Sequence, residues 1–161
     1  MGLAEAPSRR YQTALEVVEA YNSWDLSKIM AVRAPECLTQ VLPKSLDRPE
    51  LNNADYAKYL GTVMPAFSNF HVHVNEIIED SRQNKVSIWA KSTADTIAGP
   101  YANEYVLIFH FNEAGDKLVR FYEFVDSKYS VDHFAKIHEV VQKRAKAAAA
   151  AGGAVKAQSS I

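Results

Sequence analysis

The fold turns on residues 101–126, YANEYVLIFHFNEAGDKLVRFYEFVD. Apolar and polar residues alternate on both sides of Asn112-Glu113-Ala114-Gly115-Asp116, the pattern of two strands joined by a tight turn. A three-residue loop, with a type I turn at Glu113 and Ala114 and Gly115 left-handed, suits this segment and pairs Asn112 with Asp116. Antiparallel partners keep a constant index sum, so this closure predicts that Tyr105 faces Glu123. Tyr101, Asn103 and Tyr105 then share one face of the first strand. Val119, Phe121, Glu123 and Val125 occupy the matching face of the second. A carboxylate buried there without a partner costs several kcal/mol and has a raised pKa, so the position implies either a donor beside it or a chemical role. The opposite face, with Leu118, Tyr122 and Phe124, is nearly as apolar, and the pattern equally allows Glu123 to point into solvent.

Outward from this pair, a period of two begins at Asn69 and predicts four strands, 70–79, 85–95, 101–111 and 117–126, separated by SRQN, TIAGP and NEAGD turns. The preceding part is helical. Ser8 caps a stripe of Tyr11, Ala14, Leu15, Val18 and Tyr21, and Asp25 caps a short helix carrying Ile29, Met30 and Arg33. A short extended piece at 37–42 precedes Pro43. Asn53 begins a third helix with Tyr56, Tyr59, Leu60 and Val63, closed by Gly61, Pro65 and Phe67, and Ser130 caps a last helix. Three helices before a four-stranded meander make an α+β arrangement, helices covering one face of a curved antiparallel sheet whose open end becomes a pocket.

The chain has 161 residues, 48% hydrophobic and 23% charged, which is enough for one globular domain, placed at 8–145. Residues 146–161, KAAAAAGGAVKAQSSI, can extend a helix to Gly152 and then have nothing to bury, so a frayed tail is expected. A net charge of −1 provides no footprint for nucleic acid or an anionic membrane. The single cysteine, Cys37, excludes an internal disulfide and fits a reducing compartment. No secretory h-region and no membrane-length apolar run is present, and Ala6 stands where a myristoylation signal wants Ser or Thr. These features predict a soluble cytoplasmic protein.

His71 and His73 form an H-x-H pair, expected on the outer sheet face for want of further ligands, so no metal is assigned. His133 and His138 are expected at a surface or interface of the last helix. No phosphate loop, nucleophile elbow or cysteine–histidine cluster is present.

The segments AYNSWD at 20–25, RAPEC at 33–37, VLPKSL at 41–46 and VRFYEFVDS at 119–127 give the chain, over residues 11–129, a resemblance to a known group. It resembles the fungal SnoaL-like natural-product tailoring proteins of the NTF2-like superfamily, especially members of the semipinacolase and meroterpenoid isomerase type. The resemblance implies a cone-shaped barrel with an apolar pocket. It also implies a site combining an arginine, two tyrosines four residues apart and a glutamate on the final strand, which Arg33, Tyr101, Tyr105 and Glu123 match. Without it, Arg33 reads as a surface or capping residue after the second helix. Asn103 and Phe121, on the same face, are expected to contact substrate.

The expected function is cofactor-independent isomerisation or cyclisation of a small hydrophobic natural-product intermediate, such as a semipinacol-type shift. In it Glu123 moves a proton, Arg33 stabilises oxyanion character and the tyrosines orient the substrate. A non-catalytic ligand- or protein-binding module on the same fold is the alternative, as is a dehydratase, which would place a histidine–carboxylate pair in the pocket. A homodimer is expected through the outer sheet face, where Trp89, Tyr122 and Phe124 would otherwise be exposed.

Overall fold

The computed structural model describes residues 6–158, with side chains as far as 151. Four helices, α1 (Arg9–Asn22), α2 (Leu26–Ala31), α3 (Asn53–Val63) and α4 (Ser127–Gln158), accompany five strands. These are β1 (Arg33–Leu42), β2 (Phe67–Asp80), β3 (Lys85–Thr96), β4 (Gly99–Phe111) and β5 (Leu118–Val125). The sheet order is β1-β5-β4-β3-β2. The expected α+β layering is present, with five strands in place of four.

The extra strand is the extended piece expected only at 37–42. It starts at Arg33 and pairs parallel with β5, from Leu38 opposite Arg120 to Leu42 opposite Phe124. The register is broken between Arg33 and Leu38, where Pro35 supplies no N–H to the ladder. Arg33 is therefore the first residue of a strand and not the end of a helix.

Caps set the helix starts. The Ser8 hydroxyl accepts from the Tyr11 amide at 3.0 Å, and Asp25 accepts from Ser27 and Lys28. Asn52 caps α3, which begins at Asn53 as expected. Asp126, not Ser130, caps α4, its Oδ1 accepting from the Tyr129 amide at 3.0 Å. Ser130 lies inside the first turn, free to face the sheet. On α1 the buried stripe is Thr13, Ala14, Val17, Val18 and Ala20, while Leu15, expected inward, is exposed, because a stripe facing a single sheet is narrower than the apolar count suggests. The helix assignment of α4 passes Gly152. Its side chains from 152 onward, and residues 159–161 altogether, lie outside the described part, as does the expected fraying there.

The β4–β5 turn departs from the three-residue reading. The Asn112 amide donates to the Lys117 carbonyl at 3.0 Å, so four residues form the loop. Asn112 Oδ1 accepts from the amides of Asp116 and Lys117 and competes with the shorter closure. A bulge at Val119, between the pairs Phe111:Leu118 and His110:Arg120, absorbs one further residue. Tyr105 consequently faces Val125, and Leu107 faces Glu123. The expected Tyr105:Glu123 pairing is wrong by two residues. Two is a full strand period, so Tyr101, Asn103, Tyr105, Phe121, Glu123 and Val125 keep the shared inward face. At the bulge Leu118 takes the inward place given to Val119 and is 1% exposed.

Gly115 is left-handed, with φ 72°, and packs on α1, where an added Cβ would meet Arg10 Cγ at 2.8 Å and Arg10 N at 3.2 Å. Gly115→Ala should therefore lower stability by about 1–3 kcal/mol through backbone strain and the clash with α1. Thermal unfolding of the variant beside the parent measures it; an unchanged melting temperature would show that α1 yields freely at this contact.

Candidate functional site

The curved sheet, α1, α3 and the first turns of α4 enclose a cavity of about 680 Å³. Its walls are mostly apolar, among them Val18, Leu60, Phe67, Phe70, Phe109 and Phe121. The polar groups that reach it are few and come from different elements, as in pockets that hold one small organic molecule.

Glu123 reaches the cavity from β5, flanked on its face by Phe121 and Val125 and paired across the ladders with Leu107 and Val41. Its carboxylate makes no hydrogen bond with another described residue, and the side chain is part-buried, its oxygens left open to the cavity and not sealed in the core. Loss of water without a compensating partner lifts its pKa to about 7. Of the two sequence readings of this residue, the inward one describes the structure.

Tyr101 and Tyr105 both line the cavity, their hydroxyls 2.6 Å apart. Their protons can be traced. The Ser92 hydroxyl is fully buried and its one partner among the described residues is Tyr105, at 2.9 Å; donation from Ser92 is the arrangement that leaves no orphaned proton on it. Tyr105 then donates to Tyr101, which also accepts from Asn103 Nδ2 at 3.0 Å. The Tyr101 proton is left over, and the chain ends as a donor in the cavity. Burial keeps these phenols protonated, with Tyr101 pushed up to about 12.

Asn103 lines the cavity but spends both N–H bonds on Tyr101 and on Ser130 Oγ, the latter at 2.8 Å, so it positions Tyr101 and ties α4 to the sheet. Phe121, expected as a contact residue, is on the wall, edge-on to Phe109 and Tyr21. Arg33 is placed differently from expectation. It is 6% exposed and sits behind the wall, Nε donating to Asn53 Oδ1 at 2.7 Å and Nη2 to Thr39 Oγ1 at 2.6 Å, with its guanidinium 4.5 Å from the Tyr56 ring centre. The arginine that lines the cavity is Arg48, itself exposed.

Sequence reasoning missed Tyr21, Tyr56 and Tyr59, which line the cavity from α1 and α3. Each appeared only as a member of an apolar helical stripe. The available signal was a phenol on a stripe that faces a sheet, since a buried hydroxyl needs a partner. Here Tyr21 and Tyr56 are partners at 2.5 Å. Trp24, also on the wall, stacks on Phe70 at 4.3 Å and donates to the Met64 carbonyl.

The histidines divide. His71 and His73 are exposed on the outer face, while Val72 between them reaches the cavity. His133, expected at a surface, is 5% exposed, since it lies against Tyr101 and Tyr129 and its Nε2 meets Thr96 Oγ1 at 3.0 Å. Thr96 donates its own proton to the Gly99 carbonyl, so His133 is the donor. His138, an exposed residue of α4, also lines the cavity and makes no hydrogen bond with Glu123 among the described residues. No group of three or more His, Cys, Asp or Glu among the described residues is placed to hold a metal. No helix among them is long and apolar enough to cross a membrane.

The part-buried carboxyl sets a pH dependence of stability. Below the ordinary glutamate pKa, near 4.5, Glu123 is protonated in both folded and unfolded chains and costs nothing. Between there and about 7 the unfolded chain releases the proton while the folded one retains it, so stability falls as pH rises. Glu123→Gln should remove this loss, gaining about 2–3 kcal/mol over the parent at pH 8 and almost nothing at pH 4. Denaturant midpoints at the two pH values test it, and an equal gain at both would show that Glu123 is not desolvated.

No family model matches the chain. It is 35% identical over 118 residues to core atranone cluster protein 11 of Stachybotrys chlorohalonatus, an alignment covering 73% of this chain and 88% of that protein. A protein named monooxygenase NsrQ, from Aspergillus novofumigatus, is 29% identical over 137 residues, 84% of this chain and 91% of the relative. Among solved structures, the BvnE pinacolase from Penicillium brevicompactum superposes with a TM-score of 0.78 at 29% identity, covering 84% of this chain and 95% of the pinacolase. With that identity across nearly the whole of a fungal cluster protein, and with the pinacolase architecture around its cavity, the chain belongs to the SnoaL-like, NTF2-like fungal natural-product tailoring proteins.

Proposed function

We propose that the cavity isomerises a small hydrophobic natural-product intermediate by proton transfer through Glu123, in a 1,2-shift of the semipinacol type and without a cofactor. The observation that carries this reading is the unpaired carboxylate inside an apolar cavity, held near pKa 7, where a group serves as base and then as acid at neutral pH. The likeness to a pinacolase supports the reaction class. In the step, a substrate O–H bond breaks, its proton passes to Glu123 and its electron pair forms a C=O bond. The migrating carbon carries its bonding pair to the adjacent electrophilic carbon. The pair displaced there settles on that carbon's oxygen, which takes the proton back from Glu123. Tyr101, the open end of the hydrogen-bonded chain, orients the substrate, and the phenylalanine walls keep out water that would divert the intermediate.

The test uses the intermediate that accumulates when the gene is deleted. Glu123→Gln should fold and bind yet lose turnover about 100-fold or more, while Tyr101→Phe should cost more than Tyr105→Phe, which removes only an inner link. kcat/KM of the parent should rise as pH passes through about 7, where Glu123 ionises to the base. The product should have the mass of the substrate. A gain of one oxygen atom with consumption of dioxygen would establish the monooxygenase reading that the name of the NsrQ relative suggests. Unaltered turnover in Glu123→Gln would leave a binding module.

The same reading includes a homodimer in a reducing cytoplasm, where the buried thiol of Cys37 remains reduced. Its support is a row across the outer sheet face: Trp89, Val106 and Phe124 are direct cross-strand neighbours, 47%, 41% and 46% exposed. Tyr122, counted in the same patch, is half-buried under the Arg120 guanidinium. Light scattering at micromolar concentration should give twice the chain mass for the parent and less for Trp89→Glu, and a monomeric parent would refute the dimer.

A further inference from the structure

Arg33 is a buried cation with no carboxylate beside it among the described residues. The ion pairs among the described residues are Arg9–Glu16, Arg10–Glu79, Arg120–Glu50 and Lys128–Asp132, all at least partly exposed, and none includes Arg33. Its neighbours are a neutral amide oxygen, a hydroxyl and the face of Tyr56. Asn53 is itself pinned, donating to the carbonyls of Ala34 and Pro35, which turns its oxygen towards the guanidinium. A charge taken from water costs several kcal/mol unless an anion answers it. The ring that Arg33 covers belongs to a phenol that reaches the cavity.

Tyr56, from α3, and Tyr21, from α1, share one hydrogen bond, and neither hydroxyl has another partner among the described residues. Whichever donates to the other, one phenolic proton remains, and both side chains line the cavity. A tie between two helices would need the bond alone, with no cation behind it. We infer that the Tyr21–Tyr56 pair, backed by Arg33, forms a second oxyanion-binding pole, on the helical wall, for the oxygen that gains the displaced electron pair. This rests on the proton-transfer reading of Glu123. The substrate class is thereby narrowed to a skeleton with two oxygen functions on neighbouring carbons, a hydroxyl and a carbonyl. Tyr101 holds one from the sheet and the Tyr21–Tyr56 pair holds the other from the helices.

Burial holds both phenols above the ordinary tyrosine range, so they donate hydrogen bonds to an oxyanion without surrendering protons. Arg33 works against that rise, which strengthens Tyr56 and Tyr21 as donors, while ionised Glu123 works with it. Arg33 is thus a positioning residue that acts through Tyr56, and the oxyanion role expected of its own guanidinium passes to the phenols.

A naphthol is the probe, because its neutral and ionised forms fluoresce differently and its oxygen imitates the developing oxyanion. The experiment is a pH titration of naphthol bound to Glu123→Gln protein, in which no carboxylate charge repels the anion. Bound naphthol should ionise at least about one pH unit below free naphthol, and Tyr56→Phe or Tyr21→Phe should each cost about tenfold in naphtholate affinity. Arg33→Met should cost as much, with part restored by Arg33→Lys, a recovery that a purely structural role would not produce. The inference is overturned if the ionisation is not shifted, if the shift survives these variants, or if it follows Tyr101→Phe alone. Each Phe variant removes one oxygen facing a cavity. If neither folds, the pair is a structural tie and the inference fails. No turnover is measured, so failure of the catalytic role of Glu123 and failure of the helical pole are separately visible.

Discussion

The antiparallel ladder between β4 and β5 decides at once which side chains enter the cavity and how far each stands from the turn. Its closure is made by Asn112, whose amide binds Lys117 and whose side chain holds the amides of Asp116 and Lys117. From there Glu123 is carried to a place between β1 and β4 where its neighbours in both ladders, Val41 and Leu107, have no donor to offer. The desolvated carboxylate, the phenol chain beside it and the bulge that turns Leu118 inward are all consequences of that one registration.

The cavity polar groups arrive from two layers that have no reason to match unless something occupies the space between them. From the sheet come Ser92, Tyr105 and Tyr101, ordered by the one partner that the buried Ser92 hydroxyl has among the described residues. From the helices come Tyr21 and Tyr56, with a cation stacked behind. Each chain leaves one proton over, and Glu123 has an acceptor to spare. Buried polar groups normally complete one another. A surplus distributed over facing walls is the physical mark of a site that a ligand completes.

The fold was largely legible in the sequence because it rests on periodicity. The change of period at Asn69, the caps Ser8 and Asp25, and the left-handed Gly115 are local signals, and local chemistry suffices to read them. The face shared by Tyr101, Tyr105 and Glu123 was legible as well, since side-chain direction in a strand depends on parity and survives a register error of two. What misled was equally local: the Asn112 side chain competes with the backbone for the same amides, and a bulge leaves no compositional trace.

The sequence by itself determined that this chain has an α+β fold with a carboxylate and two phenols on one face of its C-terminal strands, and that its motifs resemble those of a tailoring family. Only the tertiary structure decided which face was inward, where β1 docks, and that Arg33 lies behind Tyr56 and not in the cavity. It also brought Tyr21 and Tyr56, 35 residues apart, to a single hydrogen bond. The reason is that periodicity encodes direction relative to an element's own axis. The meeting of two side chains depends on how separate elements pack, which no single element's pattern contains.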